Sequence, residues 1–153
     1  MKNIYIGGPI QYVTECGEFD SEIKKIFIDL FEFFKKNDFR VLSAHLEEDF
    51  GKKTDDFSAE DIYIRDSRFM KICDIYLFVI FGSQENPYSI RSDGTCIELG
   101  WALEANKKII MICRKEQFEN CSYLLKGATD LKKIKHYETV EQLKKDIRSI
   151  TYE

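Results

Sequence analysis

Hydrophobic positions along the chain switch repeatedly between strand-like runs and helical spacing. Asn3–Gly7 is a short β-rich run ending in Gly7-Gly8-Pro9, where unusual backbone freedom is followed by a fixed φ, a turn that phosphate or sugar can approach closely. From Phe19 to Lys36, Ile23, Phe27, Leu30, Phe31 and Phe34 fall at helical spacing, and Asn37-Asp38 closes that helix. Phe39–Ser43 reads as a second strand and 45–57 as a loop rich in acid and lysine. Ser58-Ala59-Glu60-Asp61 then opens a helix that runs to about Ile72.

Asp74 precedes the apolar run Ile75–Phe81, whose lack of alternation predicts a strand buried on both faces, as in a parallel sheet. A polar loop from Gln84 to Asp93 leads to a helix containing Glu98. Lys108–Cys113 reads as another buried strand, Phe118–Leu125 as a short helix, Lys132–Tyr137 as a last strand and Val140–Ile150 as a closing helix. This alternation predicts a single-domain α/β fold across 1–153: an open parallel, flavodoxin- or Rossmann-like sheet of about five strands with helices on both faces and right-handed crossovers. Ligands of such sheets bind beyond the carboxyl ends of the strands. The Gly7-Gly8-Pro9 turn, His45 and the Ser92–Glu98 segment all follow strands, so one crevice can collect them.

The chain has 153 residues, enough to bury a core without disulfides or metals. It is 44% hydrophobic and 33% charged with a formal charge of −4, a globular composition without the basic face that duplex nucleic acid requires. Small ligands are the expected partners. The cysteines Cys16, Cys73, Cys96, Cys113 and Cys121 are odd in number and lack C-x-x-C spacing, which fits reduced thiols in a reducing cytoplasm. No run is long enough to cross a bilayer, and the two histidines form no metal-ligand cluster, so neither a membrane nor a metal or other cofactor is expected.

The richest stretch is Arg91-Ser92-Asp93-Gly94-Thr95-Cys96-Ile97-Glu98-Leu99-Gly100-Trp101-Ala102. Ser92, Asp93, Gly94 and Thr95 can cap and start a helix, with Cys96, Leu99, Gly100, Ala102 and Leu103 giving it a packing face. Glu98 stands one turn in, near the positive end of the helix and its free N–H groups, where a carboxylate can act beside an anionic ligand. Thr95 and Glu98 also have the spacing of an ordinary capping box.

These residues together resemble the nucleoside 2-deoxyribosyltransferase-like superfamily, and within it the nucleoside 5′-monophosphate N-glycosidases. The resemblance runs from Ile4-Tyr5-Ile6-Gly7-Gly8-Pro9-Ile10 through Ala44-His45, Cys73-Asp74 and Ser92–Thr95 to Glu98-Leu99-Gly100-Trp101-Ala102. It looks nearest to the hydrolases that release cytosine or hydroxymethylcytosine from CMP-type substrates. The resemblance implies that Glu98 attacks the anomeric carbon, expels the base and leaves a glycosyl ester for water to hydrolyse, with Asp74 as second acid. It implies that Tyr5 hydrogen-bonds the nucleophile and keeps its pKa low. Ser92 and the Gly94 N–H resemble a 5′-phosphate cradle, and the resemblance implies that Gly8, Pro9, Ile10 and Gln11 line the substrate site, with His45 in the base pocket. Ser122 falls where relatives reach a neighbouring subunit's phosphate, which implies at least a homodimer.

Gln11 departs from the pattern, since nucleotide-hydrolysing relatives commonly carry a phosphate-gripping arginine there; Arg65, Arg68, Arg91 and Lys126 are the candidate replacements. Two other readings stay open. A transferase would hand deoxyribose to a second base, although the terminus Thr151-Tyr152-Glu153 lacks a convincing counterpart to that class's 5′-hydroxyl contacts. A non-catalytic nucleotide-binding module would keep the pocket without needing Glu98 and its partners.

Overall fold

The computed structural model describes residues 1–11, 13–15, 18–82 and 92–152, so Cys16, Arg91 and most of the polar loop from Gln84 onward lie outside the described residues. Strand β1 (Lys2–Gly7) is followed by a two-residue antiparallel pair, β2 (Thr14–Glu15) and β3 (Glu18–Phe19). Helix α1 (Ser21–Lys36) starts two residues later than its apolar spacing suggests, because Phe19 belongs to this small antiparallel pair and the Asp20 carboxylate caps the helix through the N–H groups of Glu22 and Ile23. Its buried residues are the five expected, and Asp38 (φ 60°) ends it in the left-handed region that Asp tolerates.

Strand β4 (Phe39–Leu42) leads into the segment expected to be a loop, which folds as α2 (Ala44–Glu47) and a 3₁₀ turn at Thr54–Asp56. Helix α3 (Ala59–Ile72) opens with a reciprocal Ser58–Asp61 capping box. Strand β5 (Ile75–Val79) is buried at every position, as its continuous apolar run requires. Beyond it come α4 (Asp93–Glu104) and β6 (Lys108–Ile112). The expected short helix after β6 is two helices, α5 (Lys115–Glu119) and α6 (Tyr123–Asp130), because the Ser122 hydroxyl accepts from the Leu125 N–H and restarts the chain. After β7 (Ile134–Tyr137), the closing helix divides at Asp146 into α7 (Val140–Lys145) and α8 (Ile147–Tyr152).

Five strands form one wholly parallel sheet in the order β4-β1-β5-β6-β7. The chain moves outward from β1 to β4, then crosses back to β5 on the other side of β1. The carboxyl ends of β1 and β5 are therefore the topological switch point where open α/β sheets bind ligands. Alternation divides the core. Ile4, Ile6, Ile75 and Leu77 face one apolar cluster with α1, while Tyr5, Tyr76 and Phe78 face a second with Met70 and Ala102. Among the described residues, no helix is long and apolar enough to cross a membrane.

Candidate active site

Tyr5 on β1 and Tyr76 on β5 are partners in the parallel register and are both fully buried on the same sheet face. Helix α4 lies over that face, and its buried residues are Thr95, Glu98 and Ala102. Of the expected packing face, Leu99, Ala102 and Leu103 do pack against the core, whereas Cys96 and Gly100 are exposed and the residue pointing at the sheet one turn into the helix is Glu98. Its Oε1 accepts from the Tyr5 hydroxyl and its Oε2 from the Tyr76 hydroxyl at 2.7 Å. Glu98 is therefore not the partner of Thr95 in a capping box.

The carboxylate fits because β1 ends in glycine. A Cβ on Gly7 would stand 2.7 Å from Glu98 Oε2 and 3.0 Å from the Tyr76 hydroxyl; one on Gly8 would meet Phe27 Cζ at 2.8 Å. The glycine turn, read as a place for ligand approach, is also the place where the protein's own carboxylate and phenylalanine approach the strand.

Burial pushes Glu98 up from 4.5 to about 7, with the charge of Asp66 adding to the rise, while the two phenols and Arg65 oppose it. Tyr5 does favour the ionised form, as expected, but desolvation outweighs it. Burial also raises both phenols well above 10, so they remain hydrogen-bond donors throughout the neutral range.

The second acid is not where the resemblance places it. Asp74 precedes β5 at the amino end of the sheet, is exposed, and accepts from the Asn3 N–H at 2.6 Å. It joins β1 to β5 at the end opposite the switch point, and no contact brings it to Glu98. The acid that Glu98 feels is Asp66, buried on α3. Arg65 donates to Asp66 through Nε at 2.8 Å and Nη2 at 3.2 Å, and to the buried Glu48 through Nη2 at 2.6 Å. Thr54 completes Glu48 at 2.5 Å. Burial raises Asp66 and Arg65 opposes the rise. Arg65 Nη1 is the one buried side-chain donor among the described residues without a partner. Arg65 is thus committed to carboxylates, and Lys126 donates to the Glu119 carbonyl, so neither is a ready substitute for an arginine at Gln11.

His45 is buried within the core. Its ring stacks on Phe27 with centroids 3.9 Å apart, Nε2 lies 3.3 Å from the Pro9 carbonyl, and burial lowers it to about 3, so it is neutral. It braces the Pro9 turn from behind, in place of the expected contact with a base. Pro9 is buried, Gly8 and Ile10 are half-buried and Gln11 is exposed. Ser92 precedes α4 without spending its hydroxyl on a cap, and among the described residues nothing lies within 4 Å of a Cβ built on Gly94. The start of α4 presents the Ser92 hydroxyl and the first N–H groups of the helix as donors. Ser122 is exposed at the start of α6, and no contact joins it to the Glu98 cluster within one chain. Trp101 packs edge-on against Tyr63 of α3 at 5.4 Å, binding the two helices that carry the acids.

Tyr76 and Asp66 escaped the sequence reading. Tyr76 sits in an apolar strand where it reads as core, and Asp66 reads as one more charge on an amphipathic helix.

The fold is shared with solved structures of low sequence identity. BlsM has a TM-score of 0.71 at 21% identity, the alignment covering 95% of this chain and 86% of that one. The Clostridium botulinum CMP N-glycosidase BcmB gives 0.64 at 19%, covering 96% and 98%. A conserved protein from Enterococcus faecalis V583 gives 0.63 at 12%, covering 98% and 99%. No curated protein matches the sequence. The sequence profile of the nucleoside 2-deoxyribosyltransferase family matches residues 4–134, a span that includes Tyr5, Asp66, Tyr76 and Glu98, and the chain belongs to that family.

Proposed function

We propose that this protein hydrolyses the N-glycosidic bond of a nucleoside 5′-monophosphate, giving free base and sugar 5-phosphate through a glycosyl ester on Glu98. The observation that carries the reading is the buried Glu98 carboxylate, held by two phenols at the switch point of the sheet with a second buried carboxylate within electrostatic reach. A retaining glycosidase needs such a pair, one acid attacking while the other manages the proton.

In the first step an oxygen of Glu98 bonds to the anomeric carbon as the carbon–nitrogen bond breaks. The base leaves with that electron pair and takes up a proton. Asp66, not Asp74, is the second acid: it gives the departing base that proton and takes one back from the water of the second step. Water then bonds to the anomeric carbon, the ester bond breaks, and its electron pair returns to Glu98. The Ser92 hydroxyl and the Gly94 N–H, at the positive end of the twelve-residue helix α4, receive the 5′-phosphate. A cytosine-type base is favoured by the likeness to a CMP N-glycosidase. The protein works as a homodimer in which Ser122 reaches the neighbouring site. Tyr123 and Leu124 beside it are 92% and 86% exposed, an apolar surface for a second copy to cover.

The test is chromatographic analysis of the protein with ribo- and deoxyribonucleoside monophosphates and free nucleosides, each with and without an acceptor base. Base and sugar phosphate formed from a monophosphate without acceptor support the hydrolase. A new nucleoside formed only with acceptor makes it a transferase, and silence across the panel leaves a binding module.

A further inference from the structure

The two phenols on Glu98 occupy different positions, and the reading of Glu98 as nucleophile gives them different work. Along β1 the chain runs from Tyr5 toward the switch point through Gly7. Oε1 is held by Tyr5, whereas Oε2 lies against Gly7, two residues nearer the carboxyl end. The Tyr76 ring leans into the same space, its hydroxyl and Cε2 3.0 and 3.1 Å from where a Gly7 Cβ would stand. Oε2 is therefore the forward oxygen and Oε1 the rear one.

Resting on that reading, we propose that Oε2 is the attacking oxygen of Glu98, that Tyr76 is its positioning residue, and that Tyr76 acts chiefly in breaking the glycosyl ester. When Oε2 bonds to the anomeric carbon its negative charge is lost and it becomes a poor acceptor, so the Tyr76 hydrogen bond weakens. Oε1 becomes the ester carbonyl and keeps Tyr5 as donor. When water takes the anomeric carbon and the carbon–Oε2 bond breaks, the electron pair returns to Oε2. The Tyr76 hydroxyl meets that charge as it develops. Tyr76 thus favours the free carboxylate over the ester, and Tyr5 orients the group in both. Because Gly7 makes room for Oε2 and the Tyr76 hydroxyl together, the device depends on three residues from two strands and one helix.

The test compares wild type, Tyr76→Phe and Tyr5→Phe. The rings stay in place in both variants; that of Tyr76 stacks on Phe78 with centroids 5.7 Å apart. Acid-quenched protein from steady-state turnover is weighed intact for the glycosyl adduct, and the Glu98 side-chain carbon is titrated by NMR in labelled protein without substrate. Tyr76→Phe is expected to slow ester hydrolysis about tenfold, the loss of one hydrogen bond to a charged group, so that the adduct accumulates above the wild-type level. Tyr5→Phe is expected to lower turnover without that accumulation. The Glu98 titration is expected to move to higher pH in Tyr76→Phe. An unchanged titration, or adduct accumulating in Tyr5→Phe and not in Tyr76→Phe, overturns the proposal. If wild type itself cleaves no N-glycosidic bond, the functional reading fails, and the substrate-free titration still decides whether Tyr76 controls Glu98.

Discussion

Gly7 and Glu98 share one space: the position a Cβ would take on the last residue of β1 is 2.7 Å from the Glu98 Oε2 atom. The side chain that β1 lacks is what allows the carboxylate to lie against the strand. Gly7→Ala should therefore displace Glu98 and press on the Tyr76 ring beside it, while leaving the apolar layer on the opposite face of the sheet intact. Displacements of about 1 Å cost on the order of a hundredfold in rate. The expected result is a folded protein with kcat/KM reduced by about that factor, checked by kinetics beside near-UV circular dichroism. Retained activity would mean that the Glu98 position is not critical.

Glu98 also sets the pH dependence. Its folded value of about 7 lies above the ordinary 4.5, so the group contributes stability that is fully present below pH 4.5 and is lost as pH rises through 7. Each pH unit between the two values is worth about 1.4 kcal/mol. Glu98→Gln should remove this slope and be more stable than wild type at pH 8, by up to about 3 kcal/mol, measured by denaturant titration at pH 5 and pH 8. In the active enzyme, ionisation of the same group should appear as an acid limb of kcat/KM near pH 7. His45, neutral and lowered to about 3, should show no titration in its imidazole NMR signals between pH 5 and 8.

The two candidate acids separate cleanly by mutation. Asp66→Asn should lower kcat by about 10²- to 10⁴-fold, the usual worth of a positioned proton-transfer group. Asp74→Asn should leave kcat within about twofold and cost about 1 kcal/mol, because it weakens only the exposed hydrogen bond to the Asn3 N–H. Steady-state rates and melting curves of the two variants distinguish them; the opposite pattern would restore Asp74 as the second acid.

Much of this arrangement is readable from the chain, and the failures have physical causes. The five-stranded parallel sheet follows from apolar runs and helical spacing, since burial on two faces leaves no alternation to confuse them. Glu98 is visible because a carboxylate interrupts a small, apolar helical stretch just after a turn. Asp74 misleads because adjacency to the central strand says nothing about which end faces the ligand. In a parallel sheet an acid that precedes a strand lies at the amino end, away from the site. Tyr76 and Asp66 become legible only when register brings Tyr76 onto Glu98 and helix placement brings Asp66 within its electrostatic reach. The antiparallel pair of Thr14–Glu15 with Glu18–Phe19 is too short for a periodic signal, and α6 is separated from α5 by only three residues, the last of them the serine cap.

Ser122 combines that cap with the contact proposed for the neighbouring site, and mutation separates the two. Ser122→Ala removes the acceptor for the Leu125 N–H and should cost about 1 kcal/mol of stability. Ser122→Asp keeps a capping oxygen but places a negative charge where the neighbouring site's phosphate is proposed to bind. It should keep wild-type stability and raise KM for a monophosphate several-fold. Equal KM values for wild type and Ser122→Asp would limit Ser122 to capping, and sedimentation velocity would show whether the protein is the dimer that the proposal requires.

The central claim is that Glu98 is the nucleophile, and the most direct measurement is peptide mapping by mass spectrometry of protein quenched in acid during turnover of a nucleoside monophosphate. The account predicts a sugar-phosphate adduct on the peptide containing Glu98, absent from Glu98→Gln, which should release no base. Base release by Glu98→Gln at the wild-type rate, or an adduct on another residue, would contradict it.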